Sequence, residues 1–367
     1  MSRIVRLIRN VLVLPLALVM ASSAWSASNT LSASSATQIQ AMLKQRIDVD
    51  KKGVGIIVGI VNAQGQGFVA YGKTKLESQA SPKLNSVFEI GSVTKTFTAL
   101  LLADMVVKGE VKLDDPIALY LPKEVKVPQR NGKQITLLDL ATHRAGFPRN
   151  IDGYPKQHPV PTYAGLTVAE MYDYLSRYQL PRDIGEDAEY SNLGMGLLGH
   201  VLSLRAGESF ETLVKKRITD PLGMKQTAIT MTPEMLANNT QGYNKNMQPT
   251  QPFEVPVLEG AGALHSTPND MLIYVKANLG LSATPLDKAI KLVHQMSDKT
   301  YEQKLAWGMW TENGTEYTNH SGTTFGYKTY LVFDMKNQRA VIVMANCALT
   351  DVDKIGDTIL MQGLDRP

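Results

Sequence analysis

Ser92-Val93-Thr94-Lys95 sets a hydroxyl and an amine three residues apart, and it is the one Ser-x-x-Lys in the chain. On an α-helix, residues three apart share a face, with Cβ atoms about 5–6 Å from each other. Serine is a weak nucleophile until a neighbouring base takes its proton. A lysine can be that base once burial or nearby cations lower its pKa. The plainer reading of the four residues is a helix N-cap serine and a surface lysine. Phe88-Glu89-Ile90-Gly91 reads as an extended segment leading into Ser92, so the serine opens a helix. Its amide N–H is then free, and the helix dipole favours negative charge developing there.

Acyl transfer also needs a proton shuttle, an oxyanion hole and donors that orient the substrate. Tyr190-Ser191-Asn192 follows a glycine- and acid-rich loop, residues 183–189, and precedes a helix beginning at Leu193. A phenol held near a lysine ammonium loses or relays a proton more easily, which suits delivery to a leaving nitrogen. An amide two residues on can orient a substrate carbonyl. The alternative is a loop tyrosine with a turn asparagine. Tyr317-Thr318-Asn319 has the same spacing but lies on an expected strand directly before His320, where alternation favours a core or sheet-face role. Tyr190 is therefore preferred. His320-Ser321-Gly322-Thr323 is the third element. Gly322 would let the backbone pass close to a ligand. The N–H of Thr323 would form an oxyanion hole with that of Ser92, while His320 and Ser321 would face a substrate carboxylate or amide.

The elements that must position these groups come from both ends of the chain. Apolar runs at 54–61 and 67–71, separated by Asn62-Ala63-Gln64-Gly65, read as an antiparallel hairpin. Runs at 305–310, 316–321, 328–333 and 340–345 have the same texture, with short turns between them. A polar helix near 37–48 precedes the first hairpin, and a last helix over 351–363 closes the chain. Between about 93 and 289 the pattern is mostly helical. Val93, Phe97, Leu100, Leu101 and Met105 recur at helical spacing and predict a long helix ending near Gly109. Further helices are expected at 136–141, 167–178, 193–204, 209–217 and 269–279. One sheet built from both ends, with a helical insertion, predicts two lobes and a cleft between them.

Arg3, Arg6 and Arg9 followed by an apolar stretch over 11–23 read as a secretory signal, with Ala24-Trp25-Ser26 open to a signal peptidase. The expected arrangement is a signal peptide at 1–26 and a single domain at 27–367. Within that domain, an α/β lobe takes about 27–105 and 295–367, and a helical lobe about 106–294. The chain carries 38 Lys+Arg against 34 Asp+Glu. Removing the three leader arginines leaves 35 against 34, so no basic excess points to nucleic acid. No stable membrane span is expected after cleavage. Cys347 is the only cysteine, which excludes an intramolecular disulfide, and its apolar neighbours suit a buried small hydrophobe.

Taken in order, Ser92-x-x-Lys95, Tyr190-x-Asn192 and His320-x-Gly322 resemble the serine β-lactamase and penicillin-binding protein superfamily, in its class C branch. That branch includes D-alanyl-D-alanine carboxypeptidases and related esterases. The resemblance extends to residues 88–97, Leu113-Asp114-Asp115-Pro116, residues 135–143, Pro221-Leu222-Gly223-Met224 and residues 266–271. It covers nearly all of the chain after the leader. It implies an α+β, β-lactamase/transpeptidase-like fold, an antiparallel sheet flanked by helices plus an all-helical lobe. By carry-over, Ser92 attacks the carbonyl and Lys95 with Tyr190 moves its proton to the leaving nitrogen. The amides of Ser92 and Thr323 hold the oxyanion, and Asn192 orients the acyl side chain. Both Lys95 and Tyr190 stand as the base, and no metal or organic cofactor is carried over.

The chain departs from class C β-lactamases at His320, where they carry lysine. A histidine of ordinary pKa near 6.5 is largely neutral at pH 7 and attracts a carboxylate less. A smaller departure is Ile184-Gly185 in place of Pro-Gly. The expected function is a periplasmic or secreted serine hydrolase acting on D-Ala-D-Ala-type peptides or β-lactams, favoured as a penicillin-binding D-amino-acid carboxypeptidase. A class C-like β-lactamase, an esterase of the same fold, and a catalytically silent sensor of muropeptides or β-lactams are the alternatives.

Overall fold

The computed structural model describes residues 31–151, 163–296 and 304–365. The leader expected at 1–26 lies outside the described residues. In chain order the strands are β1 (Gly55–Asn62), β2 (Gly65–Gly72), β3 (Phe88–Glu89), β4 (Gln129–Arg130), β5 (Lys133–Gln134), β6 (His265–Ser266), β7 (Gly308–Glu312), β8 (Thr315–Thr323), β9 (Lys328–Asp334) and β10 (Arg339–Ala345). Six of them form one sheet in the order β2-β1-β10-β9-β8-β7. All its neighbours are antiparallel. The first and last strands of the chain thus pair in the interior of the sheet, with Val58 opposite Val343. Every residue of β1 and β10 is buried, as expected for strands covered on both faces.

Alternation along β1 divides two cores. Ile57 and Val61 face one cluster; Ile56, Val58 and Ile60 face the other. The outer cluster packs the sheet against helix α1 (Ala33–Lys44) and the C-terminal helix Val352–Met361. The inner cluster packs it against α2 (Thr94–Val107) and the helix Pro268–Asn278. On α2, every residue from Thr94 to Met105 is buried, so this is a core helix rather than an amphipathic one. Phe97 on it stacks on Tyr274 with ring centroids 4.2 Å apart. Such a pair is worth about 0.5–1.5 kcal/mol beyond its burial.

Three further helices flank the site: α3 (Leu137–Ala141), α4 (Val168–Arg177) and α5 (Asn192–Ala206). Thr136 and Thr167 start the first two with capping boxes, each paired with the acid three residues on. Some expectations shift. Helix α1 begins earlier than 37, because the Ser32 side chain accepts the Ser35 N–H as its cap. Strand β7 begins at Gly308 rather than Leu305, since Ala306 takes a left-handed φ of 58°. The middle is also less helical than its composition suggests. Between Met224 and His265 the helical turns are confined to Pro233–Ala237 and Glu259–Gly262. Tertiary pairing such as β3 with β6 organises the rest. Among the described residues no helix is long and apolar enough to cross a membrane.

Candidate active site

Ser92 occupies a tight 3₁₀ turn, Gly91–Val93, immediately ahead of α2 rather than the first turn of an α-helix. Gly91 makes that turn possible with φ 50°, a left-handed value few side chains tolerate. The turn is anchored from behind: the Ile90 N–H donates to the Leu264 carbonyl at 3.0 Å, and the Leu264 N–H donates to Thr94 Oγ1 at 3.2 Å. Lys95 is fully buried. Its Nζ lies 3.0 Å from Ser92 Oγ, 2.9 Å from Asn192 Oδ1 and 2.6 Å from the Ala261 carbonyl. Among the described residues no carboxylate pairs with it. Burial, and then the nearby Arg149 charge, hold its pKa well below the usual lysine range. Asn192 Oδ1 and the Ala261 carbonyl can only accept. A neutral amine gives them its two hydrogens and keeps its lone pair for the Ser92 hydroxyl.

Tyr190 is held by the loop that follows residues 135–143. His143 adopts φ 60°, and its Nδ1 accepts the Ser191 N–H at 3.1 Å. The His143 carbonyl accepts the Glu189 N–H at 2.9 Å, and the Arg149 carbonyl accepts the Asn192 N–H at 2.8 Å. Ser191 caps α5 through Gly194 N–H at 2.9 Å while its hydroxyl donates to the Pro148 carbonyl at 2.7 Å. Tyr190 and Asn192 flank that cap, and both face Lys95. The Lys95 Nζ stands 4.9 Å from the Tyr190 ring centroid. The expectation that Lys95 eases proton loss from Tyr190 is not met in the resting site. Burial raises the phenol pKa, and the Ser92 hydrogen bond and Arg149 offset this only in part. The phenol therefore rests protonated.

The third motif sits on β8, where alternation separates its members. Gly322 lies against the nucleophile turn so closely that a Cβ there would be 2.0 Å from the Ile90 carbonyl oxygen and 3.3 Å from the Ser92 nitrogen. A Cβ on Gly91 would in turn lie 2.9 Å from the Thr323 nitrogen. The close approach at Gly322 is thus to the chain's own backbone. It places the Ser92 and Thr323 segments side by side.

Ser321 and Thr323 line the cleft. His320, expected to face the substrate, is instead buried behind Tyr190 at 7% exposure. Its ring is 6.5 Å from that of Tyr190 and 6.3 Å, edge-on, from that of Trp307. Burial, then Lys95, lowers its pKa to about 3, so it is neutral at pH 7. Nδ1–H then donates to the Ser321 carbonyl at 2.8 Å. Tyr317 faces the outer cluster and stacks on Trp310 with centroids 4.3 Å apart. By alternation it shares a face with Ser321 and Thr323, and what takes it away from Ser92 is its place along β8, five residues before Gly322, where the strand meets the nucleophile turn.

These groups surround a cleft of about 530 Å³ lined by Ser92, Tyr190, Asn192, Ser321 and Thr323, with Phe253 and Val255 among its apolar members. Arg149 and Asn150 also line it and were not singled out from sequence. Their only local signal is their place in the loop after 135–143, and nothing in that spacing announces a cleft residue. Among the described residues no cluster of three or more His, Cys, Asp or Glu side chains could hold a metal ion.

A serine beside a buried amine, at the edge of a six-stranded antiparallel sheet with a buried helix behind it, defines an active-site-serine hydrolase. A family model described as Beta-lactamase matches residues 39–364, and the chain belongs to that family. The chain is 29% identical over 323 residues to the D-alanyl-D-alanine-carboxypeptidase/endopeptidase AmpH of Escherichia coli (strain K12), covering 83% of each. It is 26% identical over 338 residues to a Beta-lactamase of Pseudomonas fluorescens, covering 82% of this chain and 90% of that one. Among solved structures, a Beta-Lactamase/D-Alanine Carboxypeptidase from Pseudomonas syringae superposes with a TM-score of 0.80 at 23% identity, over 91% of this chain and all of that one. The fold is therefore that of the class C β-lactamases, an α+β sheet with flanking helices.

Proposed function

We propose that this enzyme is a periplasmic or secreted penicillin-binding carboxypeptidase that cleaves D-Ala-D-Ala-type peptides through an acyl-enzyme on Ser92. One observation carries the reading: a wholly buried lysine amine, without a countercharge among the described residues, sits 3.0 Å from the serine oxygen. Neutral Lys95 takes the Ser92 proton as Oγ bonds to the substrate carbonyl carbon. The oxyanion is held by the N–H groups of Ser92 and Thr323, in the fixed electrostatic setting that makes such sites effective. The proton then passes through Tyr190 to the leaving nitrogen as the C–N bond breaks. Asn192 orients the acyl arm, and Ser321 and Thr323 bind the leaving side. Water later adds to the acyl-enzyme with Tyr190 relaying its proton.

The relative from Escherichia coli supports the peptide substrate by its name. The histidine at position 320 supports it by resemblance, since related DD-peptidases carry the same replacement; its neutral ring weakens attraction for a β-lactam carboxylate and a peptide carboxylate alike. A β-lactamase is the second reading, supported by the Pseudomonas fluorescens relative. Purified protein should be labelled by fluorescent penicillin and should release D-Ala from a D-Ala-D-Ala peptide, with Ser92→Ala abolishing both. Fast nitrocefin turnover without peptide cleavage would favour the β-lactamase. Ester hydrolysis alone would favour an esterase. No labelling and no hydrolysis would leave a silent sensor.

A further inference from the structure

Arg149 sits in the wall of the cleft beside Ser92, Tyr190 and Asn192, and it is the only formally charged side chain among the described residues lining it. Its guanidinium carbon stands 4.8 Å from the Tyr190 ring centroid, the arrangement of a cation held over an aromatic face. Among the described residues no carboxylate lies within ion-pairing distance of it. A guanidinium in a water-accessible cleft needs no partner to persist there, and among the described residues nothing takes up its N–H donors.

The neighbouring groups point the same way. The Arg149 carbonyl accepts the Asn192 N–H at 2.8 Å, which fixes the residue's backbone to the start of α5. Asn150 Oδ1 accepts the Asn192 side-chain N–H at 2.9 Å. Its acceptor is therefore occupied, and among the described residues its own NH₂ has no partner. Asn192 Oδ1 is occupied by Lys95 at 2.9 Å. This wall consequently offers donors and one positive charge. On the other wall the positive charge of a lysine is absent, since His320 is neutral and buried behind Tyr190.

The geometry points to an acyl-side subsite, built from Arg149 and Asn150, for a carboxylate carried on the acyl arm of the substrate. This deepens the proposed function and rests on its assignment of Asn192 to that arm. The substrates it selects are D-Ala-D-Ala peptides that bear a side-chain carboxylate before the cleaved pair. The planar fork of arginine matches a carboxylate with two parallel hydrogen bonds, and a charge-assisted pair of this kind is favoured about tenfold to hundredfold over a neutral isostere.

The test uses two acylamidomethyl boronic acids identical except that the acyl arm ends in a carboxylate or in the matching carboxamide. Both need only a nucleophilic serine and an oxyanion hole, so their ratio of inhibition constants reads the arm alone, whatever Arg149 does to Tyr190. The carboxylate should bind wild type about tenfold to hundredfold more tightly. Arg149→Gln should bring the ratio near one, Arg149→Lys should keep part of it, and Asn150→Ala should reduce it. A wild-type ratio near one, or a preference that survives Arg149→Gln, overturns the subsite and leaves the serine-hydrolase reading standing. Failure of both compounds to inhibit wild type overturns the acyl-enzyme reading, and the subsite falls with it.

Discussion

Gly322→Ala should disable acylation without touching any group that handles a proton. The added Cβ would lie 2.0 Å from the Ile90 carbonyl oxygen, and Cβ contacts below 3.0 Å are essentially never observed. Strand β8 and the nucleophile turn must therefore separate by about 1 Å, and the obstacle is backbone on both sides, not a side chain that can swing away. That movement would spread the Ser92 and Thr323 amides, whose spacing must match one oxyanion. Misplacement of about 1 Å near reacting atoms costs on the order of a hundredfold in rate. Overpacking a fixed contact should also lower stability by about 1–3 kcal/mol. The assay is the second-order rate of Ser92 acylation by a fluorescent penicillin, with unfolding by denaturant measured in parallel. Gly194→Ala is the control. It lies on the first turn of α5, where the new Cβ meets Ser191 at an ordinary 3.4 Å. An acylation rate for Gly322→Ala within threefold of wild type would refute the argument that the close strand–turn contact sets the oxyanion geometry.

The remaining predictions concern the shuttle, the buried histidines and the cysteine. Tyr190→Phe should cut turnover by about 10²- to 10⁴-fold, as for loss of a general acid–base group, whereas Tyr317→Phe should change it by less than a few-fold. The reverse ranking in steady-state kinetics would show that the outer-face tyrosine is the functional one. His320 and His294 have pKa values lowered to about 3 by burial, against 6.5 in the unfolded chain. The unfolded state then takes up protons below pH 6.5 while the folded state does not, so stability falls as pH drops from 6.5 toward 3. At pH 5 each histidine should cost about 2 kcal/mol relative to pH 7, read from urea unfolding at the two pH values. Glu259, with its pKa raised to about 7, shifts stability the other way over this range, so the loss is read against His294→Gln, and an identical pH dependence in the two proteins would mean that this ring is not held neutral. Cys347 is fully buried and its thiol pKa is raised by burial. It should resist aromatic disulfide reagents in the native state and react once in denaturant; stoichiometric native labelling within minutes would contradict its place in the core.

Much of the architecture is readable from local pattern because its causes are local. The strands β1 and β10 announce themselves as β-rich apolar runs, and Ser191 and Thr136 mark helix starts through bonds to residues three positions on. Ser92 and Lys95 are neighbours because a helical turn makes them so, whatever the rest of the chain does. The order Ser-x-x-Lys, Tyr-x-Asn, His-x-Gly likewise pointed to the family. What the sequence by itself determined was therefore the family, the nearness of Ser92 to Lys95, and the framework that carries them.

Tertiary structure decided what those groups are able to do. The acceptors that hold the Lys95 amine, Asn192 and Ala261, lie 97 and 166 residues further along the chain, and the burial that lowers its pKa comes from packing across that distance. Whether Tyr190 rests protonated depends on how deeply it is buried and on Arg149 above its ring, neither of which has a sequence period. His320 looked like a substrate contact because it lies two residues from Gly322 in the motif. That same spacing puts both on the inner face of β8, where Gly322 meets Ile90 and His320 meets Trp307. Arg149 could not be chosen from the other arginines until His143, Ser191 and Asn192 tied its loop to α5. Local geometry is set by bonds within a turn, but burial, charge and access are set by segments that meet only after folding.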